Sequence, residues 1–591
     1  MGTYAWLGIL CCLFLTGCAV GACDSSYDYT ATIECLAEPL VPQYNGGLIR
    51  NPNFNSGSSE WGVFGSGKIQ ARNSSRGNTF LVAYDRNLPN DSFSHKFNLQ
   101  KDLLYTFSAW LQLNRGKEIV SGFLEIPGGS RKLIVGSVIA KSGCWSMLKG
   151  GFAIDENTKA QFYVSSNNTK VEIWIDNVSL KGFTKAEWRA QLSKSIEQIR
   201  HRRLRIHVRS NGKNLPGAKI TIRQIRPDFL IGCGSTEKIL NNKGYQDWFT
   251  RRFQTTTFGN EMKWYYTEAR SGRENYEVPD AMVSFFRKHR ISIRGHNILW
   301  DNKNETPSWI GHFLPRQLLK AAVRHVGSVV SRYSGDVIAW DVMNENLHYS
   351  FFEDNLGPNA SAMFYQIVRA LDPSTPLFLN EYNTLENPFD MAVTPSRYVE
   401  RISEIQSFPG NDNIALRIGL EGHFILRPNL PYIRAAFDVL GTTGLPIWLT
   451  ELDTKRGPNQ AIELEDVMRE AFAHPAVEGI VVWGNWKPTG CNHACLTNKN
   501  YDVLPHGCAK MCLIDNHFKN LPSGDVVDKL LGEWRSTNLT GVTDGDGVLE
   551  QTVFLGEYSI AYDAHPLVSR SGEKVIAVAK DHDPLVLTID L

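Results

Sequence analysis

Two short acidic stretches, each closing an apolar run, are where this sequence could do chemistry. One is Val337-Ile338-Ala339-Trp340-Asp341-Val342-Met343-Asn344-Glu345, and the other is Pro446-Ile447-Trp448-Leu449-Thr450-Glu451-Leu452-Asp453. In each, a strand-like segment ends and a carboxylate appears where polarity returns. Two carboxylates facing one another across a cleft are what cleavage of a glycosidic bond requires. One protonates the leaving oxygen, and the other attacks the sugar or activates water. Glu345 and Glu451 can face one another only if both strands belong to one parallel barrel and emerge on the same side.

From Asp228 the pattern alternates strand and helix. Candidate strands begin near Asp228, Thr255, Ile291, Val337, Pro376, Ile414, Pro446 and Gly479. Helical periodicity fills the gaps, clearest over 278–289, 315–333, 361–370, 394–407 and 462–473. Eight such units predict an α/β fold, a (β/α)8 TIM barrel spanning 228–534. A barrel of this kind keeps its chemistry at the C-terminal strand ends. Polar clusters fall there: Asn260 with Lys263, His296 with Trp300 and Asp301, Asn344 with Glu345, Asn380-Glu381-Tyr382, Glu421 with His423, Glu451 with Asp453, and Trp483. Glu345 on the fourth strand and Glu451 on the seventh would sit across the mouth. The acid of such a pair needs a raised pKa, from apolar walls and a charged neighbour, while its partner must remain ionised. His423 is a candidate donor to Glu451, and Asp453 a candidate to orient that imidazole.

Ahead of the barrel, residues 46–183 read as all-β. Alternating runs at 79–84, 105–113, 132–140, 160–164 and 171–180 are separated by Gly, Asn and Ser clusters, which predicts a β-sandwich. Its aromatics are Trp61, Tyr84, Tyr105, Trp110, Trp145 and Trp174, most of them expected in the core. Residues 184–227 read as a linker helix and then a hairpin turning near 211–214. Residues 535–591 read as short strands forming a C-terminal β appendage.

Residues 1–22 read as a signal peptide, an apolar stretch followed by small residues, cleaved near Ala22. No later segment suits a membrane span. With 62 basic and 61 acidic residues, the formal net charge of +1 gives no reason to expect nucleic acid or an anionic membrane as partner. Seven Asn-x-Ser/Thr sequons, at Asn73, Asn90, Asn167, Asn177, Asn304, Asn359 and Asn538, agree with secretion. Of 11 cysteines, three leave with the signal and an even eight remain. Cys35 is placed to close a small loop with Cys23. A doubled Cys-x-x-x-Cys, at 491–495 and 508–512, invites a zinc reading together with His493 and His506. Disulfides suit an oxidising compartment better. The expectation is a monomer with no metal and no cofactor.

Leu48-Ile49-Arg50-Asn51-Pro52-Asn53-Phe54 followed by Trp61, then Tyr105-Thr106-Phe107-Ser108-Ala109-Trp110, then Trp174-Ile175-Asp176-Asn177-Val178-Ser179-Leu180 resemble a carbohydrate-binding module of family 22. Such modules are jelly-roll sandwiches that commonly bind xylan. The stretch 228–534 resembles glycoside hydrolase family 10, the endo-β-1,4-xylanases, in a plant-like form. Trp340-Asp341-Val342-Met343-Asn344-Glu345 is similar to the family's acid/base motif and Leu449-Thr450-Glu451-Leu452-Asp453 to its nucleophile motif. The resemblance implies a secreted, extracellular or cell-wall enzyme that cuts xylan by retaining double displacement, with Glu345 as acid/base and Glu451 as nucleophile. It implies that Asn260 and Lys263 grip the glycone sugars and that His296 and Trp300 wall the site beside the cleaved bond. Asn344 would bind the sugar 2-hydroxyl, and Tyr382 and Trp483 would stack on or cap the chain.

Three positions depart from the family pattern: Gly259 where Glu is common, Asp301 where His is usual, and Glu421 where Gln is frequent. The two acidic departures are expected to shift the pH optimum or subsite preference. The doubled cysteine segment falls where the aglycone wall belongs. Two other readings are a xylan transglycosylase, with a second chain replacing water, and a non-catalytic xylan-binding wall protein.

Overall fold

A computed structural model describes residues 26–126, 132–484, 486–500, 507–568 and 570–591. The expected signal peptide, its cleavage point, Cys23 and His506 lie outside these residues. Eight parallel strands close into a ring: β1 Leu230–Ser235, β2 Thr255–Phe258, β3 Ser292–Gly295, β4 Ala339–Asn344, β5 Leu377–Glu381, β6 Leu416–Leu420, β7 Ile447–Thr454 and β8 Val477–Val482. They pair in the order β3-β2-β1-β8-β7-β6-β5-β4, and β3 pairs with β4 to complete the barrel. Each begins within a few residues of its expected start. β1, β2, β4, β5 and β7 are buried along their whole length, as strands covered on both faces by helices must be. The Pro315–Tyr333 helix shows how the outer ring forms: Pro at its first turn, and an apolar face of Leu318, Ala322, Val326, Val329 and Val330 turned inward.

The N-terminal sandwich has two antiparallel five-stranded sheets. One orders Gly62–Phe64, Ser92–Leu99, Thr158–Ser165, Lys117–Glu125 and Lys132–Lys141; the other orders Lys68–Asn73, Thr79–Tyr84, Ile173–Thr184, Leu103–Leu113 and Ser146–Ala153. Trp61, Tyr105, Trp110 and Trp145 are buried, while Tyr84 and Trp174 are partly exposed. Cys35 pairs with Cys144 rather than Cys23. That bond ties the N-terminal segment across the second sheet, where Leu36 packs with Phe80, Trp110 and Trp145. Cys233 is a free, buried thiol on β1, so the even number of cysteines does not translate into complete pairing.

The Lys185–Arg200 helix begins on a capping box between Thr184 and Glu187. Beyond it the expected hairpin turns at Asn211-Gly212 but is short: His201–Ser210 pairs back only with Lys213–Asn214, and not with the strand that follows. His201–Ser210 pairs with Val548–Phe554 and Leu585–Asp590, while Lys219–Pro227 pairs with Leu539–Val542 and Gly556–Asp563. The two segments therefore lie in different sheets, which enclose Leu204, Ile206, Ile220, Ile222, Val553 and Ile560. What reads as a C-terminal appendage is half of a small sandwich whose other half lies ahead of the barrel. Local alternation places the strands but cannot choose a partner more than three hundred residues away.

The large sandwich sits on the barrel through the Ser146–Ala153 strand and the Leu430–Gly441 helix. Gly151 permits the approach, since a Cβ there would lie 2.5 Å from Pro431 Cβ. At the centre of the junction, Lys149 Nζ reaches Asp438 Oδ2 at 2.7 Å and donates to the carbonyls of Asp28 and Thr30 at 2.7 and 3.0 Å. Asp438 also accepts from Tyr27 Oη at 2.6 Å. No described helix is long and apolar enough to cross a membrane.

Candidate active site

A cleft of about 540 Å³ opens at the C-terminal strand ends, lined by Asn260, Lys263, His296, Trp300, Asn344 and Glu345 on one side. Tyr382, Glu421, His423, Glu451 and Trp483 line the remainder. Every substrate-facing residue singled out in the sequence is therefore in this cleft, and Asp453 supports it from the end of β7. The barrel supplies the reason: residues from separate strands meet because parallel strands end on one rim.

Glu345 follows β4 with φ of 55°, a left-handed conformation uncommon for a residue with a side chain. Its backbone N–H is held by the Asn380 carbonyl at 3.0 Å. Trp300 Nε1, on a short extension paired along β4, donates to Glu345 Oε2 at 2.9 Å. Burial pushes the Glu345 carboxyl up to about 7 despite that hydrogen bond, and the nearby charges of Glu381 and Glu451 push the same way.

Glu451 has the opposite balance. Burial favours its neutral form, but the His296 ring, His423 and Lys263 outweigh it and hold the carboxyl down to about 2. His296 Nε2 lies 3.6 Å from Oε1 and His423 Nε2 lies 3.6 Å from Oε2. Asn380 Nδ2 donates to Oε1 at 3.3 Å. His423 Nδ1 is 3.1 Å from Asp453 Oδ1. Burial opposes charge on His423, yet Asp453 and Glu451 raise it to about 10.

Three groups were given no role by the sequence, although Asp341 and Asn380 stand within the motifs and clusters named above. Asp341 accepts from Arg294 at 2.7 Å and faces His296 Nδ1 at 2.8 Å, so a buried Arg294–Asp341–His296 chain backs Glu451. The Asp sits inside a quoted motif, but only the closed barrel shows Arg294 beside it. Asn380 joins Asn344, Glu421 and Glu451 through one amide, with Thr450 donating to its oxygen at 2.5 Å. His348 lies between Glu381 and Asp390, at 2.6 and 2.9 Å, with its ring stacked 3.9 Å from that of Tyr382. Burial disfavours the charged His348, but the two carboxylates raise it to about 9.

The departures separate. Gly259 lines the cleft. Asp301 does not: its carboxyl is buried behind the rim, accepting from Phe352 N at 2.8 Å at the start of the Phe351–Leu356 helix. Burial and the neighbouring Glu353 push it up to about 9, so it holds its proton. Glu421 does line the cleft, and burial with the charges of Glu451 and Glu345 pushes its carboxyl well above the usual range. Glu421, His423 and Glu451 bring ligand-type atoms within 4.8 Å of one another. His423 Nε2 lies 3.5 Å from Glu421 Oε2 and 3.6 Å from Glu451 Oε2. The doubled cysteine segment forms two nested disulfides, Cys491–Cys512 and Cys495–Cys508, which leaves no zinc ligand among those four thiols. Among the described residues after Trp483, Lys487 is the cleft-lining one.

The sequence model for glycosyl hydrolase family 10 matches residues 223–505, and that for a carbohydrate binding domain matches residues 46–170. Endo-1,4-beta-xylanase 5-like of Arabidopsis thaliana is 36% identical over 590 residues, covering 97% of this chain and 96% of that protein. Endo-1,4-beta-xylanase 5 of the same plant is 36% identical, covering 94% and 93%. Endo-1,4-beta-xylanase 4 is 38% identical over 527 residues, covering 88% and 85%.

Proposed function

The chain belongs to glycosyl hydrolase family 10, and from that membership we propose that it is a secreted endo-β-1,4-xylanase cutting xylan by double displacement. The unequal protonation of two carboxyls in one cleft carries this reading: Glu345 retains a proton near neutral pH while Glu451 is ionised. Glu345 gives its proton to the leaving glycosidic oxygen as Glu451 attacks the anomeric carbon, forming a glycosyl–enzyme ester. Glu345, now a carboxylate, takes a proton from water as the water oxygen displaces Glu451 and restores it. Asn344, steadied by Asn380, is positioned for the sugar 2-hydroxyl, a hydrogen bond that strengthens toward the oxocarbenium-like transition state.

The N-terminal sandwich is the family 22-type module that holds the polysaccharide. Three disulfides among the described residues support an oxidising, extracellular destination. The non-catalytic reading loses one of its two supports, because Asp301 lies outside the cleft. Digestion of glucuronoarabinoxylan with sizing of the products, and proton NMR of the first anomer formed, test the proposal. Internal cuts with β-anomer released first are expected; an initial α-anomer, or full activity in Glu451→Ala, overturns the mechanism.

A further inference from the structure

A second groove, of about 600 Å³, lies between the large sandwich and the barrel. The sandwich contributes Ser121, Phe123 and Ser165; the barrel contributes Phe389, Met391 and Arg397. Phe123 ends a row of rings on the outer face of its sheet: Phe64 stacks on Tyr163 at 3.9 Å, and Phe123 on Tyr163 at 5.5 Å. These rings spend their faces on one another. Phe389, 6.4 Å from Phe123 and 52% exposed, is the one left open. Its segment is anchored on the C-terminal side. Ser121 and Ser137 hydroxyls donate to Met391 Sδ at 3.5 and 3.7 Å, and Lys117 bridges the domains to Glu400.

An exposed aromatic beside hydroxyls and a charged rim is the chemistry that holds a sugar chain, the ring covering an apolar sugar face and the polar groups meeting its hydroxyls. The groove and the catalytic cleft share no lining residue, but a chain of side-chain contacts links them. Asp390, between Phe389 and Met391, faces His348 at 2.9 Å, and His348 stacks under Tyr382 on the cleft wall. We propose that this interdomain groove is a remote binding site for the same β-1,4-linked polysaccharide, with Phe389 as its platform, shared between the sandwich and the barrel. The proposal rests on the polysaccharide reading above and adds where a distant part of a long chain is gripped.

Full-length enzyme carrying Phe389→Ala is compared with the parent on polymeric xylan and on an aryl xylobioside, which spans only the catalytic cleft. The expected result is a roughly tenfold fall in kcat/KM on the polymer, the order of one well-used aromatic contact, with the xylobioside unchanged. Calorimetric titration of xylohexaose into Glu451→Ala should give one site per chain more than the same titration into Glu451→Ala carrying Phe389→Ala as well. Equal losses on both substrates mean that Phe389 acts through His348 and Tyr382, and unchanged values mean that the groove is idle; either overturns the proposal. The sequon at Asn167 stands on the groove rim. If Asn167→Gln abolishes the effect of Phe389→Ala, the groove houses the protein's own glycan and the proposal fails. A parent inactive on both substrates would refute the xylanase reading, while the stoichiometry measured in Glu451→Ala would still report on the groove.

Discussion

Lys149 and Lys263 are both buried lysines whose pKa burial lowers, and they are used in opposite ways. At the domain junction, Lys149 Nζ meets three oxygens within 3.0 Å, one for each of its hydrogens. In the cleft, Lys263 Nζ has Asn260 Oδ1 at 3.4 Å and the Trp300 ring at 4.6 Å. The surrounding charges differ in the same sense. Lys149 answers Asp438, and Arg434 answers Glu470 through two contacts of 3.0 Å. The cleft instead crowds Glu345, Glu421 and Glu451 together, so that two of the three keep protons. A buried charge that is fully paired holds domains together; one left partly unpaired is available to a substrate.

Removing a charge from each region should break the comparison most sharply. Glu451→Ala is expected to lower kcat by roughly 10⁴-fold or more, as loss of a nucleophile does, with a smaller loss of stability than at the junction, because His423 and Lys263 lose the carboxylate they face. Glu345→Gln should cost about 10²–10⁴-fold, the range for general acid–base catalysis. Steady-state kinetics beside thermal melts would show it; a Glu451→Ala protein destabilised as much as a variant that removes the Lys149 charge would contradict the idea that the two regions use their buried charges differently.

Lys149→Met should do the reverse. It takes the ammonium from Asp438, leaving that carboxylate Tyr27 and His474 as partners, a loss of about 3 kcal/mol, while activity on a short substrate below the melting transition stays at the parent's level. Adding Asp438→Leu should recover most of that stability, since an apolar pair can replace a buried ion pair. Denaturant unfolding of the single and double variants measures both. A double variant no more stable than Lys149→Met alone would show that the ion pair itself, not the stranded charge, sets the energy.

The pH dependence should be smaller and is confined to the cleft. Glu345 must be protonated to act, so kcat/KM should fall as pH rises through about 7. Glu451 must be ionised, so the acid limb should lie near 2 unless unfolding comes first. In stability the signs oppose. The lowered Glu451 pKa contributes above its ordinary 4.5 and is lost as pH falls toward 2; the raised Glu345 pKa contributes below 4.5 and is lost as pH rises through 7. His423→Asn removes one of the positive charges beside Glu451 and should move the acid limb upward, read from the pH profile of kcat/KM.

The same contrast explains what the sequence discloses. Barrel strands and their terminal carboxylates are legible because each is a local event: an apolar run, then a polar residue at its end. Asn260, His296, Glu451 and Trp483 need only the ring to bring them together. The junction is illegible because nothing near Lys149 or Tyr27 marks them. Tyr27 meets a partner 411 residues away, and Lys149 is a single charge in an otherwise ordinary strand. Arg294 and His348 fail for a related reason, since their importance lies in what packs behind Asp341 and Tyr382.

The smallest effect is expected at Asp301, and it turns on direction rather than position. One residue from Trp300, an acidic side chain would be expected to perturb Glu345. The chain sends it behind the rim, where its protonated carboxyl faces Glu353 and its oxygen caps the helix that follows Glu345. Asparagine can do both things: its amide N–H replaces the acid proton toward Glu353, and its carbonyl accepts from Phe352 N. Asp301→Asn should therefore change stability by less than about 1 kcal/mol and leave both limbs of the pH profile where they are. Glu421→Gln is the companion test inside the cleft, because a carboxyl that already holds its proton differs little from an amide. If Asp301→Asn moves the upper limb while Glu421→Gln does not, the charge that tunes Glu345 lies behind the rim and not within the cleft.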